Sequence, residues 1–263
     1  MSTVFLLRHS ALSIQRTQAE LAQQSDWTCV GGTQTLEGAQ DALREFRPDV
    51  LLADLRLADG PVSELLAALH RDEPAPLAES RTWGTRPGFY VSGAMALEPV
   101  RIRPPRVLLY RLPGDERLLF ESLRAGAHAY LPDLGKASVC VPALDRLMQS
   151  RASMSPDLAR ACLAFFGLGR RPVAQSQTVL AAHDVRPLAA GQRLRHCDLH
   201  LLSLICAGWL PGEIAKAWQL PEMAVEQRIA LLYLLLQAQH DADAAKADAG
   251  VTDPLRRQAA GYR

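Results

Sequence analysis

Arg47-Pro48-Asp49-Val50-Leu51-Leu52-Ala53-Asp54-Leu55-Arg56-Leu57-Ala58-Asp59-Gly60 is the stretch on which the fold turns. An apolar run rich in Val and Leu closes on one carboxylate, and an Asp-Gly turn signal follows. This is the pattern of a buried parallel strand that surfaces at Asp54. Open α/β sheets keep their chemistry at such strand ends. Outward from it, short apolar runs alternate with helical patterns. Strands are expected at Val4 to Leu7, at Trp27 to Val30 ending on Gly31-Gly32, at Val50 to Ala53, at Val107 to Tyr110 and at Ala129 to Leu131. Helices are expected at Leu12 to Leu21, Leu36 to Phe46, Val62 to Leu69, Arg117 to Ala125 and Val139 to Met148.

That alternation calls for a five-stranded, mainly parallel sheet with right-handed crossovers, flavodoxin-like in its order. It covers residues 1–152, interrupted by an insertion at 73–105 that is dense in prolines and glycines, among them Pro74, Pro76, Gly84, Pro87, Gly88, Gly93 and Pro99. So long a connection marks a functional or mobile segment. Residues 153–193 read as a helix opened by Pro156 followed by a linker, 194–240 as a second, all-α domain, and 241–263 as a tail, with helix continuing at the start of the Ala-, Asp- and Gln-rich stretch from Gln237 and fraying beyond. Three helical patterns fill the second domain, Cys197 to Ala207, Pro211 to Trp218 and Glu222 to Leu236, punctuated by Gly208 and Gln219-Leu220-Pro221. Short helices joined by tight turns fit a helix-turn-helix unit.

Composition narrows the function classes. With 48% apolar and 22% charged residues the chain supports a buried core, and a net charge of +1 supplies no global field for nucleic acid. Cys29, Cys140, Cys162, Cys197 and Cys206 are scattered and mostly apolar in context, so they read as core residues in a reducing compartment. No secretory signal and no membrane-length apolar run is evident, so the expected compartment is the cytoplasm, with no membrane partner.

Both halves resemble the NarL/FixJ family of response regulators, a receiver domain joined to a LuxR-type helix-turn-helix domain. The motifs that carry the resemblance are Arg47-Pro48-Asp49-Val50 leading to Asp54, Leu123-Arg124-Ala125-Gly126-Ala127-His128-Ala129-Tyr130-Leu131, and Met154-Ser155-Pro156-Asp157-Leu158-Ala159. In the last region Gly208, Glu213-Ile214-Ala215 and Val225 stand where the family has its turn glycine, its Glu-Ile-Ala helix and a recognition-helix valine. The resemblance implies that Asp54 is the phosphoacceptor position and that a magnesium ion is held by an acidic pair at the end of the first strand.

The chain departs from the family at those positions. Arg8 and His9 replace the acidic pair, Arg111 aligns with the switch hydroxyl, and Asp133 aligns with the lysine, with Lys136 close by. A lost magnesium site, no resident cofactor and an inactive Asp54 are therefore expected. Two accounts stand open. Arg8 and Arg111 clamp Asp54 with charge-assisted hydrogen bonds in place of metal and phosphate, or Asp54 is a solvated leftover.

The expected recognition helix departs as well. DNA recognition needs cations toward phosphates and polar side chains toward bases. Residues 194–236 hold Arg195, Lys216 and Arg228 against Asp198, Glu213, Glu222 and Glu226, a net charge of −1. Lys216, Gln227 and Arg228 are the DNA-binding candidates. Ile229 to Leu236 is apolar on every face and needs burial on both sides, which a second subunit, the receiver or the tail can supply.

Other groups carry weaker signals. His196 and His200 lie at i and i+4, a metal-ligand spacing without an obvious third ligand. Arg81-Thr82-Trp83-Gly84-Thr85-Arg86 offers an aromatic between arginines, and Arg101, Arg103 and Arg106 with Gly169-Arg170-Arg171 form small basic clusters. No catalytic constellation is present, so the chain reads as a non-enzyme. The expected role is transcription regulation by an atypical response regulator, as a homodimer or as a heterodimer with another regulator. The alternative is an interaction adaptor that has lost DNA binding.

Overall fold

The computed structural model describes residues 1–71, 104–111, 114–132, 140–167 and 194–251. Within them strands β1 (Ser2–Leu7), β2 (Trp27–Thr33) and β3 (Val50–Asp54) are followed by a short antiparallel pair, β4 (Arg56–Leu57) and β5 (Gly60–Pro61), and then by β6 (Arg106–Arg111) and β7 (Ala129–Pro132). The main sheet runs in the order β2-β1-β3-β6-β7 with every pair parallel. That is the flavodoxin-like order, with β3 at the centre. All five residues of β3 are buried, as a strand covered on both faces requires.

Helices α1 (Ala11–Leu21), α2 (Leu36–Phe46), α3 (Val62–Arg71), α4 (Glu116–Arg124) and α5 (Cys140–Met148) accompany the sheet. Local chemistry sets their ends. The Ser10 and Thr35 hydroxyls accept from the Ser13 and Gly38 amides at the starts of α1 and α2. Arg106 at the start of β6 donates to the Leu147 and Met148 carbonyls, placing a cation on the negative C-terminal end of α5. Trp27 and Asp145, far apart in sequence, are joined by an indole hydrogen bond of 2.9 Å that ties β2 to α5.

The second part holds α6 (Pro156–Phe165), α7 (His196–Cys206), α8 (Pro211–Trp218) and α9 (Glu222–Val251). Ser155 caps α6 with Pro156 in its first turn. The turn between α8 and α9 passes through Gln219 in the left-handed conformation, at φ 55°. α6 packs on α7 and α8 on α9, which makes α7 to α9 the expected helix-turn-helix unit.

Several details extend or revise the expectations. β2 does not stop at Gly31-Gly32 but runs to Thr33, because Gly31, Gly32 and Thr33 pair with Phe5, Leu6 and Leu7 of β1; a Cβ at Gly32 would stand 2.9 Å from Ile14 Cγ2 of α1. The Asp59-Gly60 turn signal closes the β4–β5 pair, which alternation alone did not reveal. α9 continues without a break from the Glu222 to Leu236 pattern into the helical start expected of the tail and runs to Val251, and its contacts with the first domain extend as far as His240. The apolar stretch from Ile229 to Leu236 packs within the chain, with Ile229, Leu232, Tyr233, Leu235 and Leu236 buried and Leu234 exposed. The 73–105 insertion up to residue 103, the linker from residue 168, and with them Arg81 to Arg86, Arg101, Arg103, Gly169-Arg170-Arg171, Asp133 and Lys136, lie outside the described residues.

Candidate functional site

β1 and β3 are adjacent and parallel, with Leu7 opposite Ala53, so the residues that follow β1 meet the carboxyl end of β3. Asp54 there is 7% exposed. Arg8 Nε lies 2.8 Å from Asp54 Oδ1, an ion pair out of line for an N–H···O bond. The His9 amide donates to Asp54 Oδ2 at 2.8 Å, and His9 Nδ1 lies 2.5 Å from that same oxygen. Arg8 is itself held: its NH1 donates to Thr17 Oγ1 on α1 at 3.0 Å, and its guanidinium sits 3.8 Å from the centroid of the Tyr110 ring.

Arg8 thus reaches Asp54 as the clamp requires, and His9, which follows it in the chain, contacts the same carboxylate. The residue registered beside Asp54 on β6 is Tyr110, whereas Arg111 pairs with Pro132 one step on, and its side chain lies outside the described residues. Tyr110 carried no signal of its own, since an aromatic near a strand end usually reads as core. Burial pushes its hydroxyl up to about 12, with Cys140 and Glu20 adding to the rise and Arg8 opposing it. Glu20 Oε1 on α1 is buried with no hydrogen-bond partner among the described residues.

The second site is the helix expected to read DNA. Lys216 on α8 is exposed, as a phosphate contact requires. Gln227 is half-buried and donates to the Gln149 carbonyl just beyond α5. Arg228 is a correction: it is 3% exposed, its Nε donating to Asp198 Oδ1 at 2.6 Å, with Cys197 Sγ 3.8 Å from its NH2. Asp198 is fully buried and also accepts from the Arg195 amide at the start of α7, so it fixes Arg228 inward. A guanidinium turned into the helical core cannot also touch phosphate.

Glu226 shows what its acidic character is for. It is fully buried and pairs with Arg146 of α5 and with Arg151, while its carbonyl accepts from the Ala152 amide. Burial and the neighbouring Arg151 charge lower the Arg146 pKa. Further along α9, Tyr233 donates to the Ser153 carbonyl at 2.6 Å, Gln237 donates to the Leu123 and Ala127 carbonyls, and His240 meets Arg124 at 3.0 Å. One face of α9 is therefore joined to the first domain across four turns. His196 is exposed while His200 lies against Trp218, and no metal-holding group of three His, Cys, Asp or Glu occurs among the described residues.

The chain is similar to solved response regulators. A LuxR-family regulator from an Aurantimonas species is 16% identical, with 61% of this chain and 94% of that one covered at a TM-score of 0.45. For the receiver domain of NarL from Mycobacterium tuberculosis the values are 18%, 57%, 98% and 0.42. The Salmonella typhimurium RcsB regulator, 14% identical, is matched over 90% of this chain and 98% of its own at 0.45. No protein-family model and no curated protein matches the chain. No helix among the described residues is long and apolar enough to cross a membrane.

Proposed function

We propose that the chain is an atypical response regulator that acts in transcription regulation through its C-terminal helix-turn-helix unit, without phosphorylation of Asp54. One observation carries this reading. The central carboxylate of a flavodoxin-like sheet is already engaged by Arg8 and His9, on a domain bonded along α9 to the helical unit. A magnesium ion does not suit these residues. A guanidinium 2.8 Å from Asp54 Oδ1 stands where a cation would have to sit, and Arg8 and His9 give it no oxygen ligand. The positive charge that a metal would bring is supplied by the chain itself, so one conformation is held without a phosphodonor. The protein works in the cytoplasm and pairs with itself or with another regulator.

The second reading, an interaction module without DNA binding, draws on the inward-turned Arg228 and the buried Glu226. Electrophoretic mobility of a random DNA duplex across a salt series separates the two. Phosphate contacts give an affinity that falls steeply with salt, and Lys216→Ala should reduce that slope by about 1. Absence of a shift at low salt rules out direct DNA contact and leaves the interaction module. Stoichiometric labelling of Asp54 by acetyl phosphate with magnesium overturns the phosphorylation-independent part of the reading.

A further inference from the structure

We propose that His9 is a phosphoryl-accepting residue, with Asp54 as the group that positions it. The inference rests on the reading that Asp54 is not itself the acceptor. Asp54 Oδ1 lies against Arg8 and its Oδ2 accepts from the His9 amide, so a ring hydrogen bond to that same Oδ2 at 2.5 Å sets the proton on His9 Nδ1. In the neutral imidazole the Nε2 atom then carries the lone pair. It has no partner among the described residues, and the His9 side chain is 55% exposed against 11% for the side chain of Asp54. A buried carboxylate thus fixes the tautomer of an accessible imidazole and leaves its nucleophilic nitrogen toward solvent.

The surroundings favour an anion. His9 directly precedes Ser10, the N-cap of α1, whose first turn contains no acidic residue. The Ser13 and Ile14 amides are occupied by Ser10, which leaves the Ala11 and Leu12 amides as donors at the positive end of the helix. Arg8 adds a fixed cation beside Asp54. Glu20, the acid of α1, lies three turns away at its far end.

The donor is a small acyl phosphate or a phosphoramidate. The Nε2 lone pair attacks phosphorus as the bond from phosphorus to the acyl oxygen, or to the ammonium nitrogen, breaks. Acetate or ammonia leaves with that electron pair. The product is a phosphoimidazolium that keeps its Nδ1 proton, and the Asp54 carboxylate faces its positive charge. No metal and no oxidant enters the balance.

The full-length protein, incubated with phosphoramidate and mapped by mass spectrometry, should gain an acid-labile, alkali-stable phosphoryl group on His9. Labelling there should be at least tenfold faster than at His196, which is exposed and serves as internal reference. His9→Gln should abolish that label, and Asp54→Asn should bring the His9 rate down to that of His196. If Asp54→Asn fails to fold, nitrogen-15 shifts of the wild-type imidazole test the same point, and an Nε2–H tautomer overturns the proposal. A His9 rate no faster than that of His196 overturns it and leaves the proposed function standing. An alkali-labile acyl phosphate on Asp54 overturns both.

Discussion

At the scale of single residues, Arg8 is the group on which the sheet end depends. Asp54 is nearly buried, and removing one partner of a buried pair leaves a charge that neither water nor protein neutralises. His9 still supplies two contacts, so Arg8→Ala should cost about 3 kcal/mol, at the low end of the range for a broken buried pair, read as a lowered urea midpoint. Adding Asp54→Asn removes the stranded charge and should recover part of the loss. The buried thiols give a second prediction. Burial pushes Cys140 and Cys162 from 9.0 up to about 12, so the folded chain holds protons that the unfolded chain releases. Their contribution is fully present below the unfolded value and is lost as pH rises from about 9 toward about 12. Denaturant midpoints should fall across that window, and the double substitution Cys140→Ala with Cys162→Ala should flatten the dependence.

At the scale of elements, α9 acts as a strut between the domains. Its Glu226 lies opposite Arg146 and Arg151, and its Gln237 satisfies two carbonyls near the end of α4. Glu226→Arg would bring a third guanidinium against the other two at a fully buried position. We expect a loss of about 3 kcal/mol or more, because an unpaired buried charge carries the full desolvation cost. The same variant should show a larger radius in small-angle scattering as α9 leaves the first domain. An unchanged radius and melting point would mean that the apolar contacts alone hold the strut. Glu226→Gln keeps the shape and is expected to fall between the two.

At the scale of the whole molecule, the contacts of α9 make the two domains one folding unit. Tyr233, Gln237 and His240 all reach back to residues 123–153. Unfolding followed through Trp27 in the sheet and through Trp218 in the helical unit, each kept as the sole tryptophan, should give coincident transitions. Two separated transitions would show that the strut is weaker than its bonds suggest.

Much of this architecture was legible beforehand because periodicity is a local property. The run from Val50 to Asp54, the α2 boundaries and the Pro211–Trp218 helix follow from spacing, caps and turn signals within a few residues of each other. Arg8 was also within reach, since any residue just after β1 lies beside the end of β3. What tertiary structure alone decided was the pairing of charges. Register sets Tyr110 beside Asp54, and its ring lies against Arg8, a contact that no local pattern announces. Arg228 was read as a DNA contact, yet Asp198, 30 residues away, turns it inward. Glu226 resembled a defect in a DNA-reading helix until Arg146 and Arg151, 80 and 75 residues earlier, were seen to hold it. A periodic pattern identifies the face that must be buried. Only the packed chain identifies the partner, because desolvating a charge is costly enough that its distant counterpart sets its orientation.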